Sequence, residues 1–152
     1  IRFDGHVEKG VEIAHALLNR LRYPGAVIEQ AEALIANHMK FKDVPNMRES
    51  RLKRFLRMPK FEEHLELHRL DCLSSHGSLE NYDFALRKLH EAPPEQLRPK
   101  PLITGRDLIA AGFTPGPKFS IALHEAEDAQ LEGRAITRED ALNIAVSAIT
   151  GS

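Results

Sequence analysis

Apolar residues recur along this chain at helical spacing, and strand-type alternation is absent. Val11, Ala14, Leu17, Leu18 and Leu21 share one face of a helix predicted over residues 7–22, and Tyr23, Pro24 and Gly25 break it. A second helix is predicted over 24–39, with Val27, Ile28, Ala31, Leu34 and Ile35 as its buried stripe. A connector containing Pro45 leads to a third helix over 47–57, which Pro59 ends. A fourth helix runs from Phe61 to Ser74, closed by Gly77, and a fifth spans 79–91. Pro93, Pro94, Pro99 and Pro101 exclude a helix interior and predict a semi-rigid linker. A short helix from Thr104 then stops at Gly112, and another opens at Pro117, where a missing N–H does no harm, and reaches Leu131. Thr137 is the expected N-cap of a last helix, with Glu139 and Asp140 in its first turn. The expected fold is all-α: a multi-helix bundle over 1–92, a linker over 93–101, and a smaller helical subdomain over 102–152.

Composition narrows the setting more than the function. The 152 residues are 42% hydrophobic and 28% charged, an ordinary globular balance, and the net charge of −1 favours no class of partner. Cys72 is the single cysteine, which excludes an internal disulfide and points to a reducing cytoplasm. No apolar run approaches a membrane span. The first residue is isoleucine, which suggests a piece of a longer protein. Neither a Walker-type glycine loop nor a Gly-x-Ser-x-Gly elbow occurs.

Charge distribution says more than net charge. Between Lys40 and Lys60 stand eight lysines and arginines against Asp43 and Glu49. On the third helix Leu52, Phe55 and Leu56 fall together, with Lys53, Arg54 and Arg57 opposite. Such a stripe suits a phosphate backbone; the competing reading is a solvated face balanced by acids such as Glu125, Glu127, Asp128 and Glu132. Lys118 adds a cation beside the free amides at the helix start after Gly116, an arrangement suited to phosphate, while the bland reading is a helical hairpin.

The eight histidines are the other candidates. His64, His68 and Asp71 share a helix face at i, i+4 and i+7, and such a set can ligate a divalent metal. Leu65 stands where a zincin would carry its catalytic glutamate, and three unrelated polar residues on an exposed face are the expectation. His6 opens the first helix, His38 closes the second and Asp71 lies on the fourth. Their order resembles the later part of the HD metal-phosphohydrolase helical domain, in which bound metal activates water. The His-Asp dyad that names that family is not in the chain, so a metal site of His6, His38 and Asp71 is incomplete here.

Several stretches in order resemble one family. They are Phe3 to Ala14, Arg20 to Arg22, Asn37 to Met39, Arg54 to Arg57, Glu66 to Asp71, Thr104 to Gly133 and Thr137 to Ala141. Together they are similar to the HD-like body and C-terminal tail of bacterial tRNA nucleotidyltransferases and poly(A) polymerases, the class II CCA-adding enzymes. The resemblance implies an HD-like bundle over 1–92 and an RNA-binding tail over 102–152. It implies a partner in tRNA or another RNA 3′ end, and an N-terminal catalytic head that uses Mg2+ with ATP or CTP and is absent from this chain. On this resemblance Arg51, Lys53, Arg54, Arg57 and Lys118 are the expected RNA contacts, and the chain alone is expected to be inactive. The alternatives are an HD-type metal-dependent phosphohydrolase domain and a helical protein-interaction module.

Overall fold

In a computed structural model that describes residues 5–151, most of the chain's described residues are helical, and no strand occurs among them. Its α-helices are α1 (His6–Arg20), α2 (Gly25–Asn37), α3 (Glu49–Leu56), α4 (Phe61–Ser74), α5 (Glu80–Glu91), α6 (Pro94–Leu97), α7 (Gly105–Ala110), α8 (Pro117–Leu131) and α9 (Arg138–Thr150). A 3-10 helix, His38–Asn46, follows α2 directly. Of the residues quoted above, Phe3 and Asp4 lie outside the described residues.

The chain forms two compact units that are not contiguous in sequence. One takes Ile1–Asn46 and Pro59–Lys88; the other takes Met47–Met58 and Leu89–Ser152. Helix α3 leaves the bundle in which it sits in sequence and joins the C-terminal unit. The Pro-rich stretch contributes α6, with Pro93 as N-cap and Pro94 in the first turn, where proline is tolerated.

In the first unit α1 and α2 pair as a hairpin. A Cβ at Gly10 would stand 3.1 Å from Ile35 Cγ2, so the glycine lets the two helices approach. The core forms below the hairpin around Phe41 and Val44 of the 3-10 helix, both fully buried, with Ile28, Phe61, Leu65, Cys72 and Ala85. Phe41 stacks on Phe61 at 5.9 Å between centroids and on His68 at 4.4 Å.

In the second unit α8 packs along α9 through small residues: Ala122, Ala126 and Ala129 on one helix, Ala141 and Ala145 on the other, with Ile103 and Leu108 filling the end. Alanine at these positions keeps the helix axes close. The last helix begins as its sequence predicts. Asp140 N donates to Thr137 Oγ1 at 3.1 Å, and Asp140 Oδ2 accepts from Thr137 N at 2.8 Å and from Ile136 N at 3.0 Å. Replacement of Thr137 by alanine removes one half of this reciprocal cap. It is expected to lower the stability of the second unit by about 1 kcal/mol in urea titration, whereas Thr137→Ser restores nearly all of it.

Candidate functional site

Helix α3 buries Leu52, Phe55 and Leu56, and its cationic side is turned onto the acidic side of α8. Arg54 donates to the carboxylates of both Glu127 and Asp128, its Nε reaching Glu127 Oε2 at 3.2 Å. Arg57 Nη2 donates to Glu127 Oε1 at 2.7 Å, and its Nη1 to the Leu97 carbonyl at 3.3 Å. Lys53 Nζ donates to the Leu131 carbonyl at 2.6 Å, near the C-terminus of α8, and pairs with Glu49 at 2.7 Å. Arg48, just before α3, holds Glu132 with two donors, one at 2.9 Å. The result is a charged seam in which the side chains of Lys53, Arg54 and Arg57 are 17%, 21% and 24% exposed.

The acids respond as the seam dictates. Burial pushes the Glu127 carboxyl up, but Arg54 and Arg57 outweigh it and hold the group below its ordinary value. The Arg48 guanidinium, opposed by partial burial and aided by Arg134 and Ser50, holds Glu132 down to about 2.

Of the five cations expected at an RNA, Arg51 differs from the other four. It is exposed, and neither an ion pair nor a side-chain hydrogen bond holds it among the described residues. Lys118 is exposed but turns to the far end of α9, where its Nζ donates to the Ile149 carbonyl at 3.0 Å. Its ammonium thus serves the negative end of a helix dipole.

The histidines separate into two groups. His64 and His68, expected on an exposed face, are buried at 2% and 8% exposure. Phe61, Leu65, His68 and Cys72 form one apolar stripe of α4, and His64 stacks on Phe61. Burial pushes both imidazoles below the ordinary histidine value, slightly opposed by Glu63 for His64 and by Asp71 for His68. The His64 Nδ1 has no hydrogen-bond partner among the described residues. Cys72 lies 3.5 Å from His68 Nε2, and burial raises its thiol, so it is a small core residue rather than a reactive one.

His38 and Asp71 line an open cavity of about 230 Å³ together with His68, His76, Lys42 and Glu80. The His6 ring stands 5.6 Å from that of His38. His38 Nδ1 donates to the Ile35 carbonyl at 2.6 Å, which leaves Nε2 as its free nitrogen. His6, His38 and Asp71 are therefore neighbours, but their donor atoms do not converge tightly enough to share one ion. Among the described residues His124, Glu125 and Asp128 do come within 4.8 Å of one another. The Arg54 guanidinium on Asp128 opposes a cation there.

Acid is expected to weaken the two units in different windows. His64 and His68 take up protons more readily unfolded than folded, so the first unit loses stability as pH falls below 6.5. Glu127 and Glu132 are held low in the fold. Their contribution is complete above 4.5 and is lost as pH falls towards about 2. Urea titrations followed by NMR on α4 and α8 resonances separate the two. His64→Leu should flatten the first loss, and Glu132→Gln should shrink the second.

No protein-family model matches the chain, and no solved structure does. Two curated relatives do. The chain is 34% identical over 142 residues to the CC-adding tRNA nucleotidyltransferase of Thermus thermophilus, a match covering 92% of this chain and 32% of that protein. It is 30% identical over 149 residues to the A-adding tRNA nucleotidyltransferase of Deinococcus radiodurans, covering 91% of this chain and 34% of that one. The chain spans about a third of the length of these relatives. The chain, all-α among its described residues, is thus similar over about nine tenths of its length to about a third of each of two tRNA nucleotidyltransferases.

Proposed function

We propose that this chain is the C-terminal helical region of an enzyme that adds nucleotides to tRNA 3′ ends, and that its work is to bind and orient the RNA. The observation that carries the reading is the 34% identity to a CC-adding enzyme over 92% of the chain. The transfer chemistry, from ATP or CTP with Mg2+, is assigned to a head outside these residues. No Asp-x-Asp pair occurs in the sequence and no strand among the described residues, whereas such a head carries paired metal-binding aspartates on a sheet. A cytoplasmic location follows from tRNA as the substrate.

Within this reading the five cations divide by what already holds them. Arg51, exposed beside the seam, is assigned to direct contact with a phosphate. Lys118 keeps donors to spare beyond its bond to Ile149 and is assigned the same role. Lys53, Arg54 and Arg57 already meet protein oxygens, so they act by holding α3 in place and by shaping the surface that Arg51 rises from. Contacts of this kind position an RNA without reading its sequence. The HD phosphohydrolase alternative is less well supported, because His6, His38 and Asp71 do not converge on one ion.

The direct test supplies the full-length polypeptide with tRNA trimmed at its 3′ end, and with labelled CTP and ATP separately. Incorporation of C or A at the 3′ end is the expected result, and no incorporation of either would sink the reading. In the same protein Arg51→Ala should weaken tRNA binding and make the salt dependence shallower by about one unit of log–log slope, as loss of one phosphate contact requires. An unchanged slope would remove Arg51 from the interface.

A further inference from the structure

The charged seam ends in an excess of positive charge, because Arg48 and Arg134 share one carboxylate. Arg48 Nη2 and Arg134 Nε both donate to Glu132 Oε2 at 2.9 Å, and Arg134 Nη2 lies 2.8 Å from the same oxygen. An ordinary surface ion pair sets one arginine against one acid; here two guanidinium groups meet one, and a positive charge is left over. Glu125 and Asp128 also act on Arg48, but less than Glu132 does, and Asp128 is itself held by Arg54. The two arginines are 53% and 50% exposed, while Glu132 is 12% exposed. The acid therefore sits inward and the cations outward. No hydrogen bond spends Nη1 of either arginine among the described residues.

The arrangement is also fixed before any ligand arrives. The buried Ser50 hydrogen-bonds Glu132. Glu132 caps the C-terminus of α8, and Gly133 turns the chain with a φ of 72°. Gly133 N donates to the Gln130 carbonyl at 3.1 Å and Arg134 N to the Ala129 carbonyl at 2.8 Å, the paired bonds of a Schellman motif. Arg134 is thereby brought back beside the acid that precedes it. Arg51, exposed and three residues beyond Arg48, continues the same positive surface.

We infer that Arg48 and Arg134 form a clasp for one phosphodiester of an RNA backbone, with Glu132 as the positioning residue that holds both guanidinium groups. The inference deepens the reading proposed above and rests on it for the RNA. A phosphodiester carries one negative charge and two non-bridging oxygens, which match the one uncompensated charge and the two unspent Nη1 groups. Little side-chain freedom is left to lose on binding, because the carboxylate and the turn have already fixed it.

Binding of tRNA to the full-length polypeptide across a salt series tests the clasp. Arg48→Ala and Arg134→Ala should each weaken binding about ten-fold, the loss of a charged hydrogen-bond partner. The double variant should be hardly weaker than either, with a log–log salt slope shallower by about one unit rather than two, since one phosphate is released. Arg134→Lys keeps the charge but not the fork and should still bind about three-fold more weakly. Glu132→Gln separates positioning from bulk charge. It removes an acid, so a residue that merely offset charge would give tighter binding; the clasp requires binding about three-fold weaker. Tighter binding by Glu132→Gln, or an unchanged affinity and slope in the double variant, would overturn the proposal. So would variants that bind tRNA normally but CTP more weakly, since the pair would then hold a free nucleotide. If the unaltered polypeptide binds and extends tRNA while the double variant matches it, the clasp alone falls; if it binds no tRNA, the RNA reading falls as well.

Discussion

A short helix from the middle of the chain is fastened to another some seventy residues later by a seam of charge, and the C-terminal unit depends on that seam. Arg54 and Arg57 bind Glu127 and Asp128, Arg48 binds Glu132, and Lys53 meets the last carbonyl of α8. Leu52, Phe55 and Leu56 bury the other side of the same helix. A helix of eight residues has too few hydrogen bonds to persist alone, so tertiary contacts on both sides keep it folded. Partly buried charges that find partners are tolerated; the same charges unpaired are not.

This arrangement changes what a basic run means. The eight cations between Lys40 and Lys60 form the densest positive stretch of the chain, yet the most regular part of it is neutralised by the protein's own acids. The positive charge offered to an RNA is therefore smaller than the sequence suggests and is concentrated in residues such as Arg51 that stand outside the seam. The first unit has a different character. Its core is aromatic and includes two buried imidazoles, and Ile13, Leu17 and Leu21 of its outer hairpin are exposed.

The helices themselves were legible. Spacing and punctuation place α4 at Phe61–Ser74 and α8 at Pro117–Leu131, because apolar periodicity, Gly77 and Pro117 are local signals. The 3-10 helix over His38–Asn46 was not legible, since Pro45 reads as a connector while Phe41 and Val44 are fully buried. The assignment of α3 to the C-terminal unit was also hidden, because its partners lie some seventy residues away. Glu127, Asp128 and Glu132 were visible as possible balancing charges, but only the fold decides that they meet Arg54, Arg57 and Arg48. His64 and His68 read as a polar face, although a signal was present: His68 continues the series Phe61, Leu65 and Cys72, and a histidine inside an apolar series is a core residue. On α1 the apolar face of Val11, Ala14, Leu17, Leu18 and Leu21 divides. Val11, Ala14 and Leu18 are half-buried, whereas Leu17 and Leu21 stay exposed among the described residues.

The charged seam is tested most directly by a double-mutant cycle on Arg54 and Asp128 in the absence of RNA. Arg54→Ala, Asp128→Asn and the pair are compared by urea unfolding of the second unit. The account predicts a coupling of about 1–3 kcal/mol, between the values for exposed and fully buried pairs. Additive effects, with Arg54→Ala leaving stability unchanged while tRNA binding falls, would contradict it and return Arg54 to the RNA.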